Sequence, residues 1–146
     1  MKTYIGIITQ LPDNGIAVIG CNPVGINGNP IKGTGGSMLI ALNKGWVKQG
    51  EKLNNSLASS GKLFGLTTVS WPGKKRSKTV EEIKKGIEIL YSYADTNPDK
   101  DFYVFYSAGG RNLNGYSDQE MAEIFSSHSI PQNIVFEYEF SKMIKQ

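Results

Sequence analysis

The sequence predicts an α/β protein, a central sheet with helices on its faces. Two continuous apolar runs, Ile16-Ala17-Val18-Ile19 and Phe102-Tyr103-Val104-Phe105-Tyr106, have the composition of strands buried on both sides. Segments with helical periodicity and capping residues follow them. Strand and helix patterns then alternate along the chain, which is the order that builds a sheet with helices packed against it.

Each element follows from local chemistry. Residues 3–9 are rich in β-branched and aromatic side chains and read as a strand that ends at the turn formers Leu11-Pro12-Asp13-Asn14-Gly15. The strand at 16–19 stops at Gly20-Cys21-Asn22-Pro23. A glycine-rich stretch over 24–36 leads into a helix over 37–45, closed by Gly45. Residues 46–65 are polar and weakly patterned and receive no assignment. Leu66-Thr67-Thr68-Val69-Ser70 reads as a strand ended by Trp71-Pro72-Gly73. The clearest helix is 79–95, where Thr79 and Glu82 have capping-box spacing and Val80, Ile83, Ile87, Leu90, Tyr91 and Ala94 share a face. Gly86 is its weak point. The strand at 102–106 leads to a second glycine-rich loop, 107–116, and Ser117-Asp118-Gln119-Glu120 opens a helix to about residue 126 with Met121, Ile124 and Phe125 inward. The chain then runs through Ile134-Val135-Phe136 to a short terminal helix over 137–144.

The 146 residues make one domain, 1–146, with enough chain for one well-buried core. Sixteen basic and thirteen acidic side chains leave +3, too small a surplus to imply nucleic acid by charge. A single cysteine, Cys21, and a single histidine, His128, exclude disulfide scaffolds and His/Cys zinc sites. Cys21 reads as a small buried side chain, and His128 as a favourable charge near a helix C-terminus. No stretch approaches the roughly 20 apolar residues of a membrane span, so a cytoplasmic protein without a membrane partner is expected.

Two units, 16–45 and 102–127, repeat the order strand, glycine loop, helix. Such a junction points backbone N–H groups and the positive end of a helix at an anion, which is the physics of phosphate binding. Gly33-Thr34-Gly35-Gly36-Ser37-Met38 lacks the Lys-Ser/Thr ending of a triphosphate-binding loop, which disfavours magnesium-dependent nucleotide hydrolysis. Lys32 and Arg111, one in each loop, could hold a diphosphate; solvated loop charge explains them as simply. Asn22 suits a ribose hydrogen bond and equally a turn beside Pro23. Tyr116 and Trp71 could stack on a base or fill the core. Asp118, Glu120 and Glu123 are explained by capping and dipole compensation, and the run Lys74-Lys75-Arg76-Ser77-Lys78 by solvation, with polyanion binding the sharper reading.

Asn22, the run Gly33-Thr34-Gly35-Gly36-Ser37-Met38-Leu39-Ile40-Ala41-Leu42 and Gly45 resemble the first ligand loop and helix of macro domains, which bind ADP-ribose. The unit Phe102 to Gly110, with Asn114-Gly115-Tyr116-Ser117 and Glu120-Met121-Ala122-Glu123-Ile124, resembles that family's second phosphate-embracing loop. The compact macro-like proteins of phages and bacteria are the nearer likeness, down to Ile130-Pro131-Gln132-Asn133-Ile134-Val135-Phe136-Glu137. The resemblance implies a three-layer fold with a mixed central sheet and helices on both faces. It implies a site for ADP-ribose or a related nucleotide, cyclic forms included, made by Asn22, Lys32, Gly33, Gly35, Gly36, Ser37, Ser107, Gly109, Gly110, Arg111, Asn114 and Tyr116, without metal or cofactor. In a phage such a protein would sequester a nucleotide immune signal in the bacterial cytoplasm. The alternative is a metal-independent hydrolase, an ADP-ribose-1''-phosphate phosphatase or ADP-ribosyl hydrolase, against which stands the lack of the Gly-Arg-His-Gly run that compact relatives carry. Nucleic acid is the weakest partner class, and a homo-oligomer is left open.

Overall fold

The computed structural model describes residues 1–23, 36–70, 74–109 and 114–145. Among these, six strands form one mixed sheet: β1 (Lys2–Tyr4), β2 (Gly15–Cys21), β3 (Ser56–Leu57), β4 (Leu63–Thr67), β5 (Asp101–Val104) and β6 (Ile134–Glu137), in the order β1-β6-β5-β2-β4-β3. Every pairing is parallel except that of β3 with β4. Four helices accompany the sheet: α1 (Gly36–Lys44), α2 (Val80–Thr96), α3 (Asp118–Phe125) and α4 (Tyr138–Ser141).

β2 lies at the centre, bonded to β4 on one side and β5 on the other. Its residues alternate between two cores. Ile16 and Val18 join α2, α3, Phe102, Val104 and Phe136, whereas Ala17, Ile19 and Cys21 join Met38 and Ala41 of α1 with Trp46, Val47 and Leu53. A continuous apolar strand is the expected consequence of burial on both faces. In the first core Phe125, Phe136 and Phe140 meet at centroid distances of 5.5 to 6.0 Å in edge-on geometry, each ring fully buried and worth about 1.5–3 kcal/mol of transfer.

The capping boxes form as the spacing predicts. Thr79 accepts from the Glu82 N–H while Glu82 accepts from Thr79, and Ser117 and Glu120 do the same for α3. Several boundaries differ from the sequence reading, among them the strand expected at 102–106, which lies at Asp101–Val104. The first strand stops at Tyr4 rather than residue 9, because β6, its one neighbour among the described strands, ends at Glu137, the partner of Tyr4, and turns into α4. The strand expected at 66–70 lies at Leu63–Thr67, in register with Ala17 to Cys21. The unassigned 46–65 contains β3, the start of β4 and six buried hydrophobic side chains, Trp46, Val47, Leu53, Ala58, Leu63 and Phe64. The terminal helix is confined to Tyr138–Ser141, with Glu137 as its N-cap. Among the described residues, no helix is long and apolar enough to cross a membrane.

Candidate functional site

The parallel strands β2, β4, β5 and β6 end at one edge of the sheet, so the segments after Cys21, Thr67, Val104 and Glu137 emerge together. β2 and β5 are neighbours: Val18 pairs with Val104, and the Phe105 N–H donates to the Val18 carbonyl at 2.9 Å. From there the chain diverges. After β2 it proceeds to α1 and the core of Ala17 and Ile19; after β5 it proceeds to α3 and the opposite core. The next strand after β2, in the parallel part, lies on one side, at β4, and the next after β5 on the other, at β6. Adjacent parallel strands whose connections part in this way leave a crevice beyond their carboxyl ends, the usual ligand position in open α/β sheets.

Asn22 is the first residue past β2 and is buried. Gly36 and Ser37 open α1; Gly36 is exposed, and a Cβ built on it meets nothing within 4 Å. Ser107 and Gly109 lie exposed in the segment after β5. The topology thus carries Asn22, Ser107 and Gly109 to one edge, and α1 packs through Met38 and Ala41 in the core of Ile19 and Cys21. Lys32, Gly33, Gly35, Gly110, Arg111 and Trp71 lie outside the described residues. Asn114 and Tyr116, in the described end of the second loop, are buried: the Asn114 Oδ1 accepts the Tyr116 N–H at 2.9 Å, its Nδ2 reaches Met121 Sδ at 3.3 Å, and the Tyr116 hydroxyl donates to the Lys78 carbonyl.

Two carboxylates that the sequence reading left out of the site hold the described start of the second loop. Asp118, at the start of α3, accepts the Gly109 N–H at 2.8 Å and the Tyr106 hydroxyl at 2.7 Å. Glu137, buried at the end of β6, accepts the Ala108 N–H at 3.2 Å as well as the Phe140 and Glu139 N–H groups of α4. Charge-assisted bonds of this kind fix a loop firmly. They also turn the Ala108 and Gly109 N–H groups toward protein acceptors. Asp118 therefore does more than compensate a helix dipole, and an acid immediately after a cap and beside a glycine loop is the signal that could have revealed it.

Cys21 is buried, its thiol donating to the Leu53 carbonyl at 3.4 Å and lying 3.7 Å from Thr67 Oγ1. Burial pushes its pKa up to about 12, so it is a packed side chain and no nucleophile near neutral pH. Neither a protein-family model nor a curated protein or solved structure matches the chain. The site therefore rests on its own geometry.

Proposed function

We propose that this chain is a macro-like three-layer domain that binds ADP-ribose or a related nucleotide, cyclic forms included, in the crevice between the connections after β2 and β5. The observation that carries the reading is the divergence of those two connections to opposite faces, together with the glycine-rich composition of both. Asn22, buried at the end of β2, supports a ribose contact, and the N-terminus of α1 supports an anion contact. Because Asp118 and Glu137 occupy the Gly109 and Ala108 N–H groups, the diphosphate in this reading leans on the first loop and α1 while the second loop shapes the pocket.

The activity we propose is binding and sequestration. The described carboxylates nearest the crevice are engaged with backbone N–H groups, and Cys21 holds its proton, which supports binding over hydrolysis. The test is calorimetry with ADP-ribose on the wild type and on Gly36→Val. A side chain at Gly36 enters open space, so the variant keeps its fold and loses affinity by about tenfold or more, near 1.4 kcal/mol. A folded Gly36→Val with wild-type affinity overturns the placement; a wild type that binds neither ADP-ribose nor its cyclic isomers overturns the ligand.

A further inference from the structure

Within the basic run 74–78, where Lys74, Lys75 and Arg76 are exposed, Arg76 is tied to the end of the second loop and to α3. The Arg76 N–H donates to the Asn114 carbonyl at 2.7 Å, its Nε to the Gly115 carbonyl at 3.1 Å, and its two terminal nitrogens to the Glu120 carboxylate at 2.8 and 3.2 Å. The guanidinium lies 4.6 Å from the centroid of the Tyr116 ring, whose hydroxyl returns to the Lys78 carbonyl. At the other end of the segment, the Ser70 N–H donates to Ser77 Oγ. The approach is so close that a Cβ on Gly115, φ +86°, would stand 2.6 Å from Lys75 Cβ and 3.1 Å from the Arg76 nitrogen. Arg76 itself holds φ +54°, a left-handed conformation that costs a non-glycine residue energy and persists where surrounding contacts over-determine it.

We infer that Arg76 is a positioning residue for the crevice: it joins the connection after β4 to the connection after β5 beyond the end of β2, fixing the wall on the α2 and α3 side. The strand order agrees with this link, because β4 and β5 flank β2 and both lead to helices of the same core. A simple stabilising role does not account for the arrangement. The Arg76 and Glu120 side chains are 53% and 36% exposed, and a pair so open to water contributes little to global stability. Three contacts from Arg76 to residues 114–116 and two to Glu120 of α3 fix local geometry instead. As a statement about ligand binding the inference rests on the proposed function; as a statement about the loop it does not.

The experiment compares wild type, Arg76→Gly and Arg76→Lys by amide hydrogen exchange and by ADP-ribose calorimetry. Glycine accommodates φ +54°, so Arg76→Gly removes the side chain without adding backbone strain. The expected result is exchange about tenfold faster over 105–117 with wild-type exchange over 83–94, and affinity lowered about tenfold. Lysine, which keeps the charge at Glu120 but neither the fork nor the flat stacking face, restores part of both. Unchanged exchange over 105–117, or faster exchange throughout the chain, overturns the clamp. Faster local exchange with unchanged affinity overturns its role in the site. Faster local exchange in a protein whose wild type binds no ADP-ribose supports the clamp and overturns only the ligand.

Discussion

At the scale of single residues, Cys21 links burial to pH. Its thiol ionises near 12 when folded, against 9.0 ordinarily, because burial penalises the thiolate. Below pH 9 both states keep the proton. Above it the unfolded chain releases a proton that the folded chain retains, so stability falls as pH rises from 9 toward 12, by up to about 1.4 kcal/mol per unit. Urea unfolding between pH 8 and 11 should therefore show a steeper loss for the wild type than for Cys21→Ala, and parallel curves would remove this account. The burial of Cys21 was legible because no histidine or second cysteine stood near it in sequence. Asp118, 9 positions from Gly109, left a local signal beside its cap, whereas Arg76 and Glu137 were not legible as loop-holding residues. Arg76 meets Glu120 across 44 positions and Glu137 meets Ala108 across 29, and no local pattern encodes such partners.

Among the elements, α2 was the plainest in sequence, since capping box and apolar stripe agree, yet its one irregularity has a distant cause. A Cβ on Gly86 would meet the Asn55 side-chain amide at 2.6 Å, and that amide's Oδ1 accepts the Thr67 N–H at the end of β4. In an ordinary helix interior Gly→Ala stabilises by about 1 kcal/mol. Here the sign reverses: Gly86→Ala should destabilise by about 1 kcal/mol in thermal or urea melts, and the same change in an Asn55→Gly background should stabilise, the two sites coupling as contacts do. A stabilising single variant would refute the contact. The segment 46–62 was opaque for a related reason. Its order comes from side chains binding backbone, with Glu51 accepting the Lys48 and Ser59 N–H groups and Ser60 donating to the Trp46 carbonyl, and such bonds leave no period of 2 or 3.6. The strand expected at 66–70 was drawn toward Thr-Thr-Val by β propensity, whereas pairing with β2 selects Leu63–Thr67.

For the whole molecule, the α/β class and the helices that follow β2 and β5 were readable, because buried parallel strands and capping boxes are local signals. The strand order was not, since it depends on which edges meet. The proposed binding activity carries a molecular prediction. ADP-ribose, its 1''-phosphate or a cyclic isomer incubated with the protein should be depleted from solution and recovered intact after denaturation, with or without chelator, as chromatography would record; multiple turnovers would establish a hydrolase instead. Strand order also bears on how the chain is made. Among the described strands β1 finds its only neighbour in β6, and the Lys2 ammonium and Tyr4 hydroxyl meet Asp101 and Val104 some hundred positions downstream. During synthesis β1 has no partner until the residues of β6 have been made, so the sheet stays open at that margin while β2 to β5 are laid down. Ile5 and Ile7, 84% and 81% exposed even in the finished fold, follow directly on that waiting strand. Vectorial assembly thus leaves an edge strand and two exposed isoleucines beside it waiting together for the last strand of the described sheet.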